Sequence, residues 1–353
     1  MGLRPGITTA IMNKNDAVRL GRALESAKPF SSELLVLDTG SSDDSIAVAK
    51  SHGARVIELP WPDAFDEALN FMLDHVQTEW TLRIDSDEWF LPEYVPLVSE
   101  IVDRDDVFLA LIFRRDYQPD GGFVEGYYPR FWRTHPEMRY VGIIHEQIPD
   151  DNLFEASQGR RILPTQIRLE HDGYIGGFGE ARLRRNLELI RRELDVRPGN
   201  VYYELALSDT LYELNDPEAP EYTNGIFDRL LRSRDELPAG VVAPGLAQFL
   251  RRQPEDKLNV PRVGKVIRYG IQHYGTVPEV VWVCANTELK RGRIQDGLEL
   301  FLHLDRLRET DSYSRIVGVD PNMVGIELFR AIIQVATLLG RRDLVAKYSG
   351  ALA

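Results

Sequence analysis

The sequence predicts an α/β N-terminal domain built on a mostly parallel sheet, followed by an all-α domain of helical hairpins, and three observations carry that expectation. Short apolar or β-branched runs alternate with segments of helical spacing through the first half of the chain. Past about residue 175 the alternation gives way to long amphipathic, arginine-rich stretches broken by Pro and Gly, as at Arg197-Pro198-Gly199-Asn200. Within that half, the stretch from Gly292-Arg293-Ile294 to Phe301 repeats the character of Gly340-Arg341-Arg342 to Tyr348, both reading as turns between paired helices. The predicted division is 1–175 and 176–353.

The elements follow in order. Ile7–Met12 is a strand and Val18–Ala27 a helix with Asn15 or Asp16 at its start and Pro29 after its end. Leu34-Leu35-Val36-Leu37 is a continuous apolar run, as in a buried parallel strand, and it ends in the polar loop Asp38–Asp44. A helix from about Ser45, a strand Arg55–Leu59, a helix Ala64–His75 and a strand Trp80–Ile84 complete the series. Strand, helix, strand repeated this way gives parallel strands whose ligands bind beyond their carboxyl ends, where loops 13–16, 38–44 and 85–88 would meet. Val141–Ile144 and Ile167–Glu170 read as further strands. In the helical half, 216–221 and 235–245 read as loops. The two hairpin turns lie 340 − 292 = 48 residues apart. That misses the 34-residue tetratricopeptide period, so the half is tetratricopeptide-like rather than a regular array.

Composition narrows the function classes. With 353 residues, 43% hydrophobic and 27% charged, the chain is an ordinary globular protein able to bury two cores. No run is long and apolar enough to span a bilayer, and the start lacks a signal-peptide core, so a cytoplasmic location is expected. Cys284 is the lone cysteine and reads as a buried, inert thiol. A formal charge of −13 repels polyanions and disfavours nucleic acid as a partner. No G-x-G-x-x-G follows the first strand, which argues against a dinucleotide-dependent oxidoreductase.

Chemistry concentrates at Asp85-Ser86-Asp87-Glu88, directly after a buried strand. Two carboxylates two residues apart suit Mg or Mn, and a divalent ion there would neutralise the charge of a departing diphosphate.

Together with Ile11-Met12-Asn13-Lys14-Asn15-Asp16, Val36–Asp43, Phe65 with Asn70, Tyr128–Arg133, Gly142–Glu146, His171–Tyr174 and Arg185-Asn186, this cluster resembles the family 2 glycosyltransferases of GT-A fold. The resemblance runs over roughly residues 6–215 and is nearest to the branch of lipopolysaccharide-core β-glucosyltransferases and bacterial peptide (glycocin-type) glycosyltransferases. The branch's Lys-Asn-Glu stands here as Lys14-Asn15-Asp16, and its Ala-Arg-Asn as Ala68-Leu69-Asn70.

The resemblance implies a metal-dependent, inverting transfer of a hexose from a nucleotide-sugar, UDP-glucose or a relative, with Mn or Mg as the ion. Asp38 would contact base or ribose, and Asn13, Asn70, Arg83 and Asp85 would line the donor pocket. Asp85 and Asp87 would form the acidic motif at the metal, with His171, rather than His145, as third ligand. Inversion requires a base on the acceptor side, for which Glu146 is the candidate, ahead of Asp120 and Glu125. The acceptor would be a peptide, protein or saccharide, held with the help of the helical half, which would otherwise pair two copies into a homodimer. A catalytically degenerate glycan- or nucleotide-binding module with a helical partner-binding domain is the alternative. Glycosylation of a modified nucleotide in DNA is the lesser one.

Overall fold

The structure is a computed structural model that describes residues 3–175, 179–233, 236–315 and 318–352. Two compact units divide the chain: Met1–Phe123 with Tyr127–Val196, and Val124–Gly126 with Arg197–Ala353.

The first unit holds strands β1 (Arg4–Asn13), β2 (Glu33–Asp38), β3 (Arg55–Glu58), β4 (Thr78–Asp85), β5 (Glu88–Phe90), β6 (Val107–Tyr117), β8 (Arg161–His171) and all of β7 (Phe123–Arg133) except Val124–Gly126. Its helices are α1 (Ala17–Ala27), α2 (Ser45–Ser51), α3 (Phe65–Asp74), α4 (Val95–Val102), α5 (Asp150–Ser157) and α6 (Glu180–Val196). The strands form one sheet in the order β3-β2-β1-β4-β7-β6-β8-β5. The first four are parallel, as the alternating pattern predicts.

Beyond β4 the sheet is mixed rather than mostly parallel. β7 runs antiparallel to β4, and β5 antiparallel to β8. The reason is connectivity: β6 and β7 are joined by the short turn at Gln118–Gly122, too short for the crossover that parallel neighbours need.

Period-two alternation feeds both faces of the sheet. Leu34 and Val36 pack into one buried cluster with Ile11, Leu24 and Ile84, while Leu35 and Leu37 pack into another with Leu69, Met72 and Trp132. Each such fully buried Leu or Val contributes about 1.5–3 kcal/mol of apolar transfer free energy.

Three local expectations differ from the structure. Val141–Ile144 is not a strand but one side of a turn closed by the pairing of Val141 with Gln147. Positive φ at Gly142 and His145 bends it, so His145 and Glu146 are not on an extended chain. α6 groups with the first unit although it lies beyond residue 175. Its Glu193 accepts from the Ile143 N–H at 2.6 Å, and its Arg192 donates to the Asp63 carbonyl at 3.0 Å. Finally, much of 235–245 is helical, because burial of Val242, Ala243 and Leu246 outweighs the hydrogen bond lost at Pro244.

The second unit is helical: α7 (Val201–Glu213), α8 (Ala219–Ser233), α9 (Ala239–Arg251), α10 (Pro261–Tyr274), α11 (Pro278–Lys290), α12 (Ile294–Glu309), α13 (Ile326–Leu338) and α14 (Arg342–Leu352). Helices pack against their sequence neighbours from α7 to α14. The turns α11–α12 and α13–α14 carry Gly292 and Gly340 at φ +77° and +69°, a left-handed cap that glycine adopts without strain. Cys284 is fully buried, and burial pushes its thiol up to about 12. Among the described residues no helix is long and apolar enough to cross a membrane.

Candidate nucleotide-sugar and ion site

Because β1, β2 and β4 are parallel, their carboxyl ends share one edge, with Asn13 opposite Asp38 and Met12 opposite Asp85. The three polar loops meet there. Asn15, at φ +53°, accepts from the Ser42 N–H at 2.6 Å, and Asp16 accepts from the Ser86 hydroxyl at 2.8 Å. Asp16 does not cap α1 with its side chain; Asp43 accepts from the Ala17 N–H instead.

Asp38 does two things at once. Its Oδ1 accepts from the Gly40 and Ser41 N–H groups at 2.9 and 2.8 Å, which makes the turn. Its Oδ2 is buried and has no hydrogen-bond partner, and the same is true of Asn13 Oδ1. An unpaired buried acceptor costs about 1–3 kcal/mol, which a ligand presenting N–H or O–H groups there would recover.

His171 ends β8 and meets Asp87, with Nε2 3.6 Å from Asp87 Oδ2. Its other nitrogen, Nδ1, lies 2.6 Å from Asp116 Oδ1. Burial opposes a charge on the imidazole, but the bonds to Asp116 and Asp87 outweigh it and lift His171 to about 9. Burial likewise works against ionised Asp87, yet His171 and Arg19 hold it below the usual carboxylate range. Two donors each about 2.1 Å from one ion lie no more than about 4.2 Å apart, so this pair fits a single divalent cation. The gap is kept open by Gly173, where a Cβ would stand 2.2 Å from Asp87 Oδ2 and 2.6 Å from His171 Nε2.

Asp85 does not join that pair. The buried guanidinium groups of Arg83 and Arg130 hold its two oxygens at 2.9 and 2.8 Å. The predicted set Asp85, Asp87 and His171 is therefore not assembled, and among the described residues no group of three or more His, Cys, Asp or Glu is gathered to hold a metal. Two donors suit an ion that takes its remaining oxygens from substrate phosphates and water.

Glu146 lies beside Arg83 at 3.5 Å. Burial pushes its carboxyl up, and Arg83 partly counters this. The turn that carries Glu146 is pinned at its start by Asn70, whose Nδ2 donates to the Tyr140 carbonyl and whose Oδ1 accepts from the Tyr140 N–H, both at 2.9 Å. Both polar ends of Asn70 are thus spent on backbone, so it supports the turn rather than lining a donor pocket. Leu69 beside it is fully buried in the core. His145 is exposed on the turn, and Asp120 sits in the β6–β7 turn accepting from the Gly122 N–H.

Four residues with no role assigned from sequence complete the site. Glu88, fully buried, accepts from the Asp85 N–H at 2.9 Å, from Arg114 at 2.9 Å and from Arg130 at 2.6 Å. Burial, and then the Asp85 carboxylate, push Glu88 up to about 7. Arg114 in turn grips Asp116 at 2.7 Å. A signal existed: Arg114 and Asp116 are charged residues two apart in a strand that is apolar up to Phe113, which puts both on one face.

Known proteins give this geometry a context. Residues 8–161 match the glycosyl transferase family 2 model. A TPR repeat-containing protein of Synechococcus elongatus is 28% identical over 224 residues, covering 61% of this chain and 54% of the relative. The SPbeta prophage-derived glycosyltransferase SunS of Bacillus subtilis is 22% identical over 242 residues, covering 66% of this chain and 56% of the relative. The chain thus spans about half the length of these curated relatives. Among solved structures, glucosyl-3-phosphoglycerate synthase of Mycobacterium tuberculosis in complex with Mn2+ and UDP-glucose is 28% identical over 31% of this chain and 44% of that one, with a TM-score of 0.28.

Proposed function

We propose that this chain, which matches the glycosyl transferase family 2 model over residues 8–161, is a metal-dependent inverting glycosyltransferase. It moves a hexose from a UDP-sugar, UDP-glucose or a relative, to a peptide, protein or saccharide acceptor. The branch is that of the lipopolysaccharide-core and peptide glycosyltransferases, on the sequence blocks quoted above. The observation that carries the reading is the Asp87–His171 pair, on the same edge of the sheet as the unpaired acceptors Asp38 Oδ2 and Asn13 Oδ1.

Asp87 and His171 would hold Mn or Mg, which when bound neutralises charge on the departing diphosphate. Asp38 and Asn13 would accept hydrogen bonds from the nucleoside. Glu146 takes the proton from the acceptor hydroxyl as its oxygen bonds to the anomeric carbon; the bond from that carbon to the diphosphate oxygen breaks, and its electron pair leaves with UDP. Burial pushes the Glu146 carboxyl up, and Arg83 beside it favours the ionised form needed for that step. Positioned general bases of this kind contribute roughly 10²–10⁴-fold.

Calorimetry with UDP, with and without Mn2+, tests this directly. Mn2+ should strengthen UDP binding in the wild-type chain, and Asp87→Ala should abolish that gain together with donor turnover. Absence of the gain in wild type, or its persistence in the variant, would sink the reading.

A further inference from the structure

The structure places a second carboxylate behind His171, and its position comes from an irregularity in the sheet. β8 runs parallel to β6, with Leu111 facing Pro164 but Phe113 facing Arg168. The offset grows from 164 − 111 = 53 to 168 − 113 = 55, so β8 holds two additional residues there. Thr165 within the bulge donates to the Leu111 carbonyl at 2.9 Å, keeping that backbone acceptor satisfied. At the original offset Asp116 would face residue 116 + 53 = 169, which is Leu169; after the bulge it faces His171.

The resulting contact is short and enclosed. Asp116 and His171 are 5% and 6% exposed, with Oδ1 and Nδ1 2.6 Å apart. Asp116 is itself fixed from behind. Arg114 reaches Oδ1 at 2.7 Å and Oδ2 at 3.1 Å, and the Tyr128 hydroxyl donates to Oδ2 at 3.4 Å. Arg114 is anchored in turn by fully buried Glu88. A carboxylate accepts and cannot donate, so Asp116 at 2.6 Å keeps a proton on Nδ1, and Nε2, the nitrogen facing Asp87, is the atom that a cation would take in exchange for its proton.

We propose that Asp116 is the positioning residue of the ion site, fixing the tautomer and ring orientation of His171 so that Nε2 and Asp87 Oδ2 present themselves to one cation. Asp116 touches neither ion nor substrate and acts through His171. This rests on the proposed function, since it presumes that the pair takes a divalent cation. Carboxylates placed behind metal-binding histidines typically account for about 10–100-fold in metal affinity.

Asp116→Asn in the full chain tests it. Arg114 would take the amide oxygen and turn the amide N–H toward Nδ1, favouring the wrong tautomer. Mn2+ affinity in the presence of UDP, read from the electron paramagnetic resonance of free Mn2+, should fall about 10–100-fold, while UDP affinity without metal stays near wild type. Excess Mn2+ should restore donor turnover. Unchanged Mn2+ affinity in this variant, with normal binding in wild type, overturns the role of Asp116 and leaves the functional reading standing. No Mn2+-dependent binding even in wild type fails that reading instead. Should the variant not fold, 15N-histidine NMR of the wild-type chain with Mg2+ and UDP decides the matter, using His171→Gln to identify the signal. A proton on Nδ1 supports the proposal, and a proton on Nε2 overturns it.

Discussion

Replacing Asn70 by alanine separates two roles for that residue. Its side chain makes two hydrogen bonds, both to the backbone of Tyr140 and both 2.9 Å long. Tyr140 is 7% exposed, so alanine leaves a nearly buried N–H and a nearly buried C=O without partners. Each such orphan costs about 1–3 kcal/mol, and admission of a water into the vacated space keeps the sum near the lower end, about 2–4 kcal/mol. For a unit of this size that corresponds to a fall in melting temperature of roughly 5–10 °C. The same turn carries Glu146, so acceptor-side turnover should also drop while UDP affinity stays within about twofold. Scanning calorimetry and titration with UDP and Mn2+ measure the two quantities side by side. A tenfold loss of UDP affinity with an unchanged melting temperature would refute this account and return Asn70 to the donor pocket.

Three further outcomes are expected. Glu146→Gln should retain UDP and Mn2+ binding but lose turnover by roughly 10²–10⁴-fold. Because burial raises the Glu146 carboxyl and the base must be ionised, turnover in wild type should fall with decreasing pH through a midpoint above the ordinary glutamate value of about 4.3; an acid limb below that value would contradict the assignment. Gly173→Ala should weaken Mn2+-dependent UDP binding at least about tenfold, since a 1.4 kcal/mol penalty suffices and its Cβ would stand 2.2 Å from Asp87 Oδ2. Wild-type affinity in that variant would show that the cation does not use this gap.

Local pattern was enough for half of the sheet and for the site's general place. Continuous apolar runs such as Leu34–Leu37, short and bounded by polar loops, read as strands buried on both faces, and β1 to β4 with α1 to α3 follow within a few residues of their predicted bounds. Parallel strands then oblige loops 13–16, 38–44 and 85–88 to meet at one edge. The glycines of the two hairpin turns were legible for the same local reason, a left-handed cap.

What the tertiary structure alone decided is which charges face one another. Asp85 and Asp87 are alike in sequence, yet one is spent on Arg83 and Arg130 while the other is left to His171. Arg83 lies two residues before Asp85 on β4, so alternation puts both on one face, but Arg130 arrives from β7, and no local pattern announces that second pairing. Asn70 and the turn at Val141–Gln147 are a second case, a hydrogen-bonded clamp across 70 residues that sequence spacing cannot reveal. The bulge in β8 is the third. Two residues inserted opposite β6 exchange Leu169 for His171 beside Asp116, and register is a property of paired strands, not of either strand by itself. Local pattern located the sheet edge where the polar loops meet; the pairing of strands determined which carboxylates there are held by arginine and which face His171.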